Sequence, residues 1–273
     1  MIAANPLKTQ VLIETDVRRK LRALDAILED LLKGGSQEIP EHPGRDVQIL
    51  NPKDLPPKVG LSTVEGQARL LHDLASIELQ AIELGLRTLT EFPEAPRAFR
   101  EQLAEITREE ASHLSLCLKG LDDLERPWGT YATHDMLWMS AAADDSLLDR
   151  ILVVHRYLEG SGLDASDKIL RRLSGVPNSV AVHAVSVIRR DEVKHVRFGS
   201  RWYHELLAGA DPAEDMRERL NRLFTRIPRR LEPISAEIRI GAGFLYNEIE
   251  VLEEFRGRWF KSEPIHQSKP KER

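Results

Sequence analysis

Two Glu-x-x-His pairs are the residues whose types and spacing are best suited to binding a metal ion. Glu110 and His113 form the first pair, and Glu192 and His195 form the second. Residues three apart on a helix lie on one face, with Cβ atoms about 5–6 Å apart. A carboxylate and an imidazole at this spacing can ligate one ion, or the carboxylate can bridge to a second ion.

The two pairs also share a longer pattern, which makes a chance origin less plausible. Residues 108–113 and 190–195 both read as a basic residue, two acids, two other residues and a histidine. A bare Glu-x-x-His is weak evidence by itself. A third match, Glu263 and His266, contains a proline and lies in a charged tail, so we interpret it as a chance occurrence.

A further glutamate precedes each pair at nearly the same distance. Glu78 lies 32 residues before Glu110, and Glu159 lies 33 residues before Glu192, each on an apolar helical stretch. Any single pair alone is better explained as hydrogen-bonded core residues or a surface pair. Four carboxylates converging in a core without a cation would repel one another, so the repeated set favours a metal site. The predicted ligands are Glu78, Glu110, His113, Glu159, Glu192 and His195.

Acidic residues directly before the ligand glutamates are candidates to orient the histidines. A metal-bound imidazole usually donates its other N–H to a carboxylate or a carbonyl oxygen. We therefore hypothesise that Asp191 orients His113 and that Glu109 orients His195, crossing between helices. The alternative is that both acids face solvent or their own helix.

Other polar residues are weaker candidates for the site. Arg156 could balance surplus negative charge, although a surface arginine is the favoured interpretation. Glu83 competes with Glu78 as a ligand, but it lies five residues on, roughly 140° round a helix. Three further histidines are interpreted as structural: His72, His183 and His134.

The elements that must position these residues are helices, because most long segments repeat at the helical period. A capping-box pattern at 62–65 opens the first long helix. Gly160 and Gly162 predict an interruption or kink in the third. Outside the long helices we expect an N-terminal helix, a proline-rich arm at 36–60, a short helix within 125–144, and C-terminal helical segments before a polar tail. The long helices are predicted at about 62–92, 96–124, from 144 to at least 159, and from 180 to about 209.

This pattern predicts an all-α fold, a four-helix bundle with additional N- and C-terminal helices. The expected regions are 1–60 (helix and arm), 61–210 (bundle) and 211–273 (helical extension and tail). With 273 residues and 41% hydrophobic residues, the chain can bury a sizeable core. The net charge of −5 and the absence of a basic block give no support for nucleic-acid binding.

Cysteine usage and apolar runs bear on the compartment. Cys117 is the sole cysteine, which excludes an internal disulfide and fits a reducing compartment. Residues 1–10 lack a signal-peptide pattern, and no apolar run reaches the ~20 residues that a membrane span needs. We therefore expect a soluble, cytoplasmic protein that does not enter a membrane.

At these residues the sequence resembles a bacterial ferritin-like family that carries a domain-of-unknown-function label. The resemblance covers roughly residues 43–255. The family is in turn distantly similar to the tRNA isopentenyladenosine hydroxylases, which are di-iron monooxygenases. It implies a ferritin-like fold and a dinuclear metal site at the six residues named above. The stretches that carry it are His72–Leu84, Glu109–His113, His134–Trp138, Leu158–Asp164 and Arg190–Val196.

Function follows from this expectation as three hypotheses. The leading one is an oxidase or monooxygenase with two metal ions, iron in preference to manganese or a mixed Mn/Fe pair. It would use O₂, an external reductant, and an unknown small-molecule or modified-nucleoside substrate, as a monomer or a homodimer. The second is a metal-storage, ferroxidase or peroxide-detoxifying protein without an organic substrate. The third is a non-catalytic helical interaction protein that retains metal for stability.

Overall fold

The computed structural model describes residues 10–177, 179–229 and 232–261. Within these ranges the regular structure is helical, apart from one isolated parallel bridge between Ile49 and Thr133. The predicted all-α helical bundle is therefore confirmed. The division into regions at residues 60 and 210 stays a prediction.

The helices of the described ranges are named in chain order. Four long rods make the bundle, and the third rod is composite: α5, a π-helical segment and α6 follow one another without a break. The helices are α1 (Val17–Leu32), α2 (Val64–Glu91), α3 (Arg97–Asp123), α4 (Met136–Met139), α5 (Leu147–Ile151), the π-helical segment (Leu152–Leu158), α6 (Glu159–Leu173), α7 (Val180–Leu206), α8 (Pro212–Leu223), α9 (Ala236–Gly241) and α10 (Tyr246–Lys261).

Local capping fixes where the rods begin. The side chain of Thr63, not Ser62, caps α2, because its hydroxyl accepts a hydrogen bond from the Gly66 N–H. Ser146 caps α5 in a reciprocal capping box with Asp149, so this rod begins at Leu147, three residues after the predicted start at 144. Each cap satisfies backbone donors that the first helical turn would leave unpaired.

The predicted interruption at Gly160 and Gly162 is wrong, whereas a kink there stays a prediction. Helix α6 runs through both glycines, and the irregularity lies upstream in the π-helical segment. Gly160 serves close approach instead: a Cβ there would lie 2.3 Å from Nη1 of Arg239, so only a glycine lets this guanidinium lie against the helix.

The rods pack around a continuous apolar core. Helix α2 packs most extensively on α3, α6 packs on α7, and α3 and α7 join the two halves. Helix α1 covers α2 and α3, while α9 packs on α6 and α7, and α10 packs on α8 and α9. None of the described helices has the length and apolar character needed to cross a membrane.

Buried ion pairs fasten both flanking regions to the bundle. On the N-terminal side, Lys20 from α1 and Arg45 from the proline-rich arm both bind Glu83 of α2. On the C-terminal side, Arg156 of the π-helical segment binds Glu248 of α10 through two hydrogen bonds of 2.8 Å.

Candidate metal centre

The structure brings the six predicted ligand residues together in two overlapping groups. Within each group, one potential ligand atom per residue lies within 4.8 Å of the others. All are buried except Glu159, which is half-buried. All four rods contribute, with Glu159 as the first residue of α6. The groups share Glu192 and consist of Glu78, Glu110, His113 and Glu192, and of Glu159, Glu192 and His195.

The His113 ring turns one nitrogen toward the carboxylates and the other toward an acid on α7. Its Nδ1 lies 3.2 Å from Oε2 of Glu110 and 3.4 Å from Oε2 of Glu78. Its Nε2 lies 3.4 Å from Oδ2 of Asp191. The inward nitrogen is therefore available to an ion, and the outward one faces a hydrogen-bond acceptor.

His195 repeats this arrangement from the opposite helix. Its Nδ1 lies 3.0 Å from Oε1 of Glu110 and 3.7 Å from Oε1 of Glu192. Its Nε2 lies 2.9 Å from Oε2 of Glu109 on α3. The contacts expected for Asp191 and Glu109 are thus both present and cross between α3 and α7.

Four buried atoms of the cluster have no hydrogen-bond partner among the described residues. They are Glu110 Oε1, Glu159 Oε2, Glu192 Oε2 and His195 Nδ1. The first and last of these lie 3.0 Å apart but are not aligned for a hydrogen bond, whereas the Glu159 and Glu192 oxygens have no close partner in the described ranges. A buried polar atom without a partner is costly, and a group of them on facing helices calls for a shared ligand. Carboxylate oxygens and imidazole nitrogens are ligands for divalent first-row metals. The buried cluster can therefore hold a metal ion.

The pKa values of the cluster residues are shifted by burial and by the close approach of the carboxylates. Burial, reinforced by the Glu110 carboxylate, raises the pKa of Glu78 well above its usual value. Burial and Glu110 likewise raise the pKa of Glu192 to about 7. Burial alone would lower the pKa of His113, but hydrogen bonds to Glu110 and Glu78 raise it to about 11. Bound protons thus offset part of the negative charge that a metal would otherwise neutralise.

The two acids outside the cluster differ in exposure. The Asp191 side chain is 11% exposed and that of Glu109 is 40% exposed. Hydrogen bonding from Arg190 and Lys194 lowers the pKa of Asp191 despite its partial burial. The Lys194 ammonium lies 3.2 Å from Asp191 and 3.4 Å from Glu109, so it links the two acids. Sequence reasoning did not single out Lys194, although it lies just before His195.

The hydrogen bonds and the ion pair of the Arg156 side chain go to Glu248 and not to the six ligand residues. Its side chain is fully buried, and its guanidinium binds Glu248 and lies between the rings of Tyr203 and Phe244. The favoured interpretation of a surface arginine is therefore wrong. The cause is the C-terminal region, since α10 covers this face of the third rod and supplies the counter-ion.

The remaining sequence candidates lie elsewhere. Glu83 binds Lys20 and Arg45 rather than the cluster. His72 has a structural role, as predicted, because it stacks on Trp128 at 4.5 Å and accepts a hydrogen bond from the Gly129 N–H. His183 is exposed and His134 is half-buried in the connection, while Glu263 and His266 lie outside the described residues.

Cys117 is buried and free, consistent with the prediction from the sequence. Burial, together with the Glu78 carboxylate, raises the pKa of its thiol well above the usual value. The group is therefore an uncharged thiol at neutral pH, and the potential ligand atoms of the two groups are oxygen and nitrogen alone.

One residue at the cluster was missed from the sequence. His155, in the π-helical segment, places Nδ1 2.7 Å from Oε1 of Glu159. A signal was present, because residues four apart share a helix face. The Glu-x-x-His pattern does not include it, because here the histidine precedes the glutamate and lies four residues away.

Comparisons with known proteins identify a family and a relative. The family model described as "Protein of unknown function (DUF455)" matches residues 11–250. An uncharacterized protein of Haemophilus influenzae is 33% identical over 216 residues, covering 76% of this chain and 74% of that protein. No solved structure matches the chain. Because the family match spans most of the sequence, the chain belongs to the DUF455 family of proteins of unknown function.

Proposed function

We propose that this chain is a ferritin-like di-metal carboxylate protein that holds two iron ions and uses O₂ to oxidise or hydroxylate an organic substrate. The observation that carries the proposal is the pair of overlapping ligand groups, each with an imidazole that turns Nδ1 inward and Nε2 toward an acid on the facing helix. This arrangement supports metal ligation because the outer acid fixes the ring tautomer.

The contacts suggest how two ions would be divided. Glu78 and His113 would serve the first ion, and Glu159 and His195 the second. Glu110 lies near both histidines, and Glu192 belongs to both groups, so these two carboxylates would be available to either ion. Four carboxylates would neutralise the four positive charges of two divalent ions, which a buried site requires.

The ligand types favour iron or manganese over metals that select thiolates. Carboxylate oxygens and imidazoles suit both metals, and ligand identity alone does not separate Fe/Fe from Mn/Fe or Mn/Mn. We propose iron because ferrous ions, when bound, supply the electrons that reduce O₂. The proposed partners are O₂, an external reductant and a small-molecule or modified-nucleoside substrate.

The protein's own residues would orient and insulate the centre. Asp191 and Glu109 would accept the Nε2–H of the two histidines and keep each Nδ1 available as a ligand. Burial of Glu78, Glu110 and His195 would exclude bulk water and strengthen their electrostatic interaction with the ions.

Anaerobic reconstitution with iron(II) tests the proposal. We expect two iron ions per chain and consumption of O₂ when the reconstituted protein is exposed to air. Glu110→Gln should lose both ions, whereas Glu105→Gln, at an exposed position on the same helix, should bind as the wild type does. Folded wild-type protein that retains no iron would contradict the proposal.

The storage alternative gives a different result in the same preparation. A storage protein would form a large cage and retain many iron ions per chain, whereas an oxygenase would be a small assembly, such as a homodimer, holding two ions. Light scattering and iron analysis separate these outcomes.

A further inference from the structure

The π-helical segment brings a third histidine to the metal centre. His155 is 3% exposed, and its Nδ1 lies 2.7 Å from Oε1 of Glu159. A carboxylate that ligates a metal ion can only accept a hydrogen bond, so Nδ1 of His155 would be the donor in the metal-bound protein. One oxygen of Glu159 is therefore engaged, and the other, Oε2, is buried without a partner among the described residues.

The imidazole of His155 is held tightly from the side of α7. A Cβ at Gly199 would lie 2.6 Å from Cβ of His155, so the absence of a side chain lets the two helices approach. Phe198 packs edge-on against the His155 ring, with centroids 5.1 Å apart and planes at 85°. A ring confined in this way keeps its hydrogen bond in one direction.

The backbone that carries His155 and Glu159 is fixed as well. The Glu159 N–H bonds to the Val154 carbonyl, five residues earlier, as π-helical geometry requires. From α9, Nη1 of Arg239 donates a 2.9 Å hydrogen bond to the Arg156 carbonyl within the same segment. These contacts make the segment a rigid support for the third-rod ligand.

We propose that His155 is a positioning residue that holds Oε1 of Glu159 and thereby presents Oε2 to the second metal ion. This inference rests on the proposed function. It extends the pattern of the centre, because Asp191 and Glu109 accept hydrogen bonds from the ligand histidines, while His155 donates one to a ligand carboxylate.

Cobalt(II) titration of the full-length, metal-free protein under anaerobic conditions tests the proposal. Cobalt absorption reports coordination, and equilibrium dialysis counts the ions. In His155→Leu we expect the first ion to bind as in the wild type and the second to bind about 10–100-fold more weakly, as for other residues that orient ligands. In His155→Gln, whose amide can donate, the second ion should be largely restored.

Two further variants make the test specific to position. His72→Gln, which alters a buried histidine remote from the cluster, should bind both ions as the wild type does. The double variant His155→Leu/Glu159→Gln should be no worse than Glu159→Gln alone, because a positioning residue acts only through the side chain that it holds. If His155→Leu does not fold, His155→Gln still decides the question, because a second ion that binds it as weakly as it binds Glu159→Gln would overturn the proposal.

The outcomes separate this inference from the proposed function. Wild-type protein that binds no cobalt would overturn both. Wild-type protein that binds two ions, with His155→Leu giving the same affinities and absorption, would overturn the role of His155 alone. Additive losses in the double variant would also overturn it, since they would indicate that His155 ligates the metal directly.

Discussion

Two buried glutamates on the same helix, five residues apart, have opposite electrostatic surroundings. Glu83 is fully buried, and the chain supplies two cations for it, Lys20 and Arg45. Glu78 is equally buried, but its neighbours are Glu110 and His113 in a cluster rich in carboxylates. One carboxylate is neutralised from within the protein, whereas the other requires protons or an external cation.

The comparison shows what distinguishes a structural carboxylate from a metal ligand. Burial alone does not, because both side chains are inaccessible to water. The difference is whether a lysine or arginine reaches the carboxylate. At Glu83 the ion pair fastens the N-terminal region to the bundle. No described lysine or arginine forms an ion pair with Glu78. Burial therefore raises the pKa of Glu78, and the protonated form of its carboxyl group is favoured when no metal is bound.

Neutralising Glu83 should give the largest change in the free energy of unfolding. Glu83→Gln leaves Lys20 and Arg45 buried without their shared counter-ion, and losing one partner of a buried pair typically costs about 3–5 kcal/mol. Chemical denaturation of the metal-free protein should show a loss of this size. Metal binding should persist in the folded fraction. A change below 1 kcal/mol would contradict the stabilising role given to the ion pairs of Glu83.

Metal loading should stabilise the protein next most strongly. An ion that binds only the folded state contributes about 2.7 kcal/mol at a free concentration of 100 times its Kd. We expect the thermal midpoint to rise with iron(II) or manganese(II) and to return after chelation. Glu110→Gln should abolish this shift, and an unchanged shift in that variant would argue against the assigned ligands.

Neutralising Glu78 should act in the opposite direction to neutralising Glu83. Glu78→Gln removes a carboxylate that burial and Glu110 disfavour, so the metal-free protein should gain about 1–2 kcal/mol, while its metal affinity falls. Denaturation and metal titration of the same sample measure both quantities. A destabilised metal-free variant would show that the contact between Glu78 and His113 outweighs the cost of burying the carboxylate.

The affinity for metal should rise with pH. His113 has a pKa of about 11 in the metal-free protein, so an ion that takes its Nδ1 must displace a proton, and raising the pH makes that displacement easier. Glu192 has a pKa of about 7, so below neutral pH it also carries a proton that a metal ion must displace. We expect the affinity to increase about tenfold per pH unit or more between pH 6 and 8. Calorimetry in buffers of different ionisation enthalpy counts the protons released.

A surface ion pair provides the smallest effect and a baseline. Arg108 on α3 binds Asp25 of α1 at 2.9 Å, with both side chains substantially exposed. Because solvent screens such pairs, Arg108→Ala should change the free energy of unfolding by less than about 1 kcal/mol and leave metal binding unaltered. A larger loss would indicate that α1 is held mainly at its surface rather than by Lys20.

The sequence predicted those features that local spacing determines. Helical periodicity indicated the four rods, and the repeated Glu and Glu-x-x-His pattern named residues that the fold brings into one cluster. Non-local contacts were beyond its reach. Nothing near Arg156 in the sequence signals Glu248, which lies 92 residues later, so the arginine was assigned to the surface. The π-helical segment was likewise not predicted. Its residues are all compatible with an ordinary α-helix, and the glycines that suggested an irregularity, Gly160 and Gly162, lie after it in the chain.

The side-on approach of Arg239 across Gly160 has a consequence for how the chain can be shortened or redesigned. This guanidinium also binds Asp164 at 2.7 Å, so a single residue of α9 holds together two turns of α6, the helix that begins with Glu159. Removing the last quarter of the chain would take away the counter-ion of Arg156, Glu248, and release those turns. A minimal four-rod version would therefore need new counter-charges before it could stand alone.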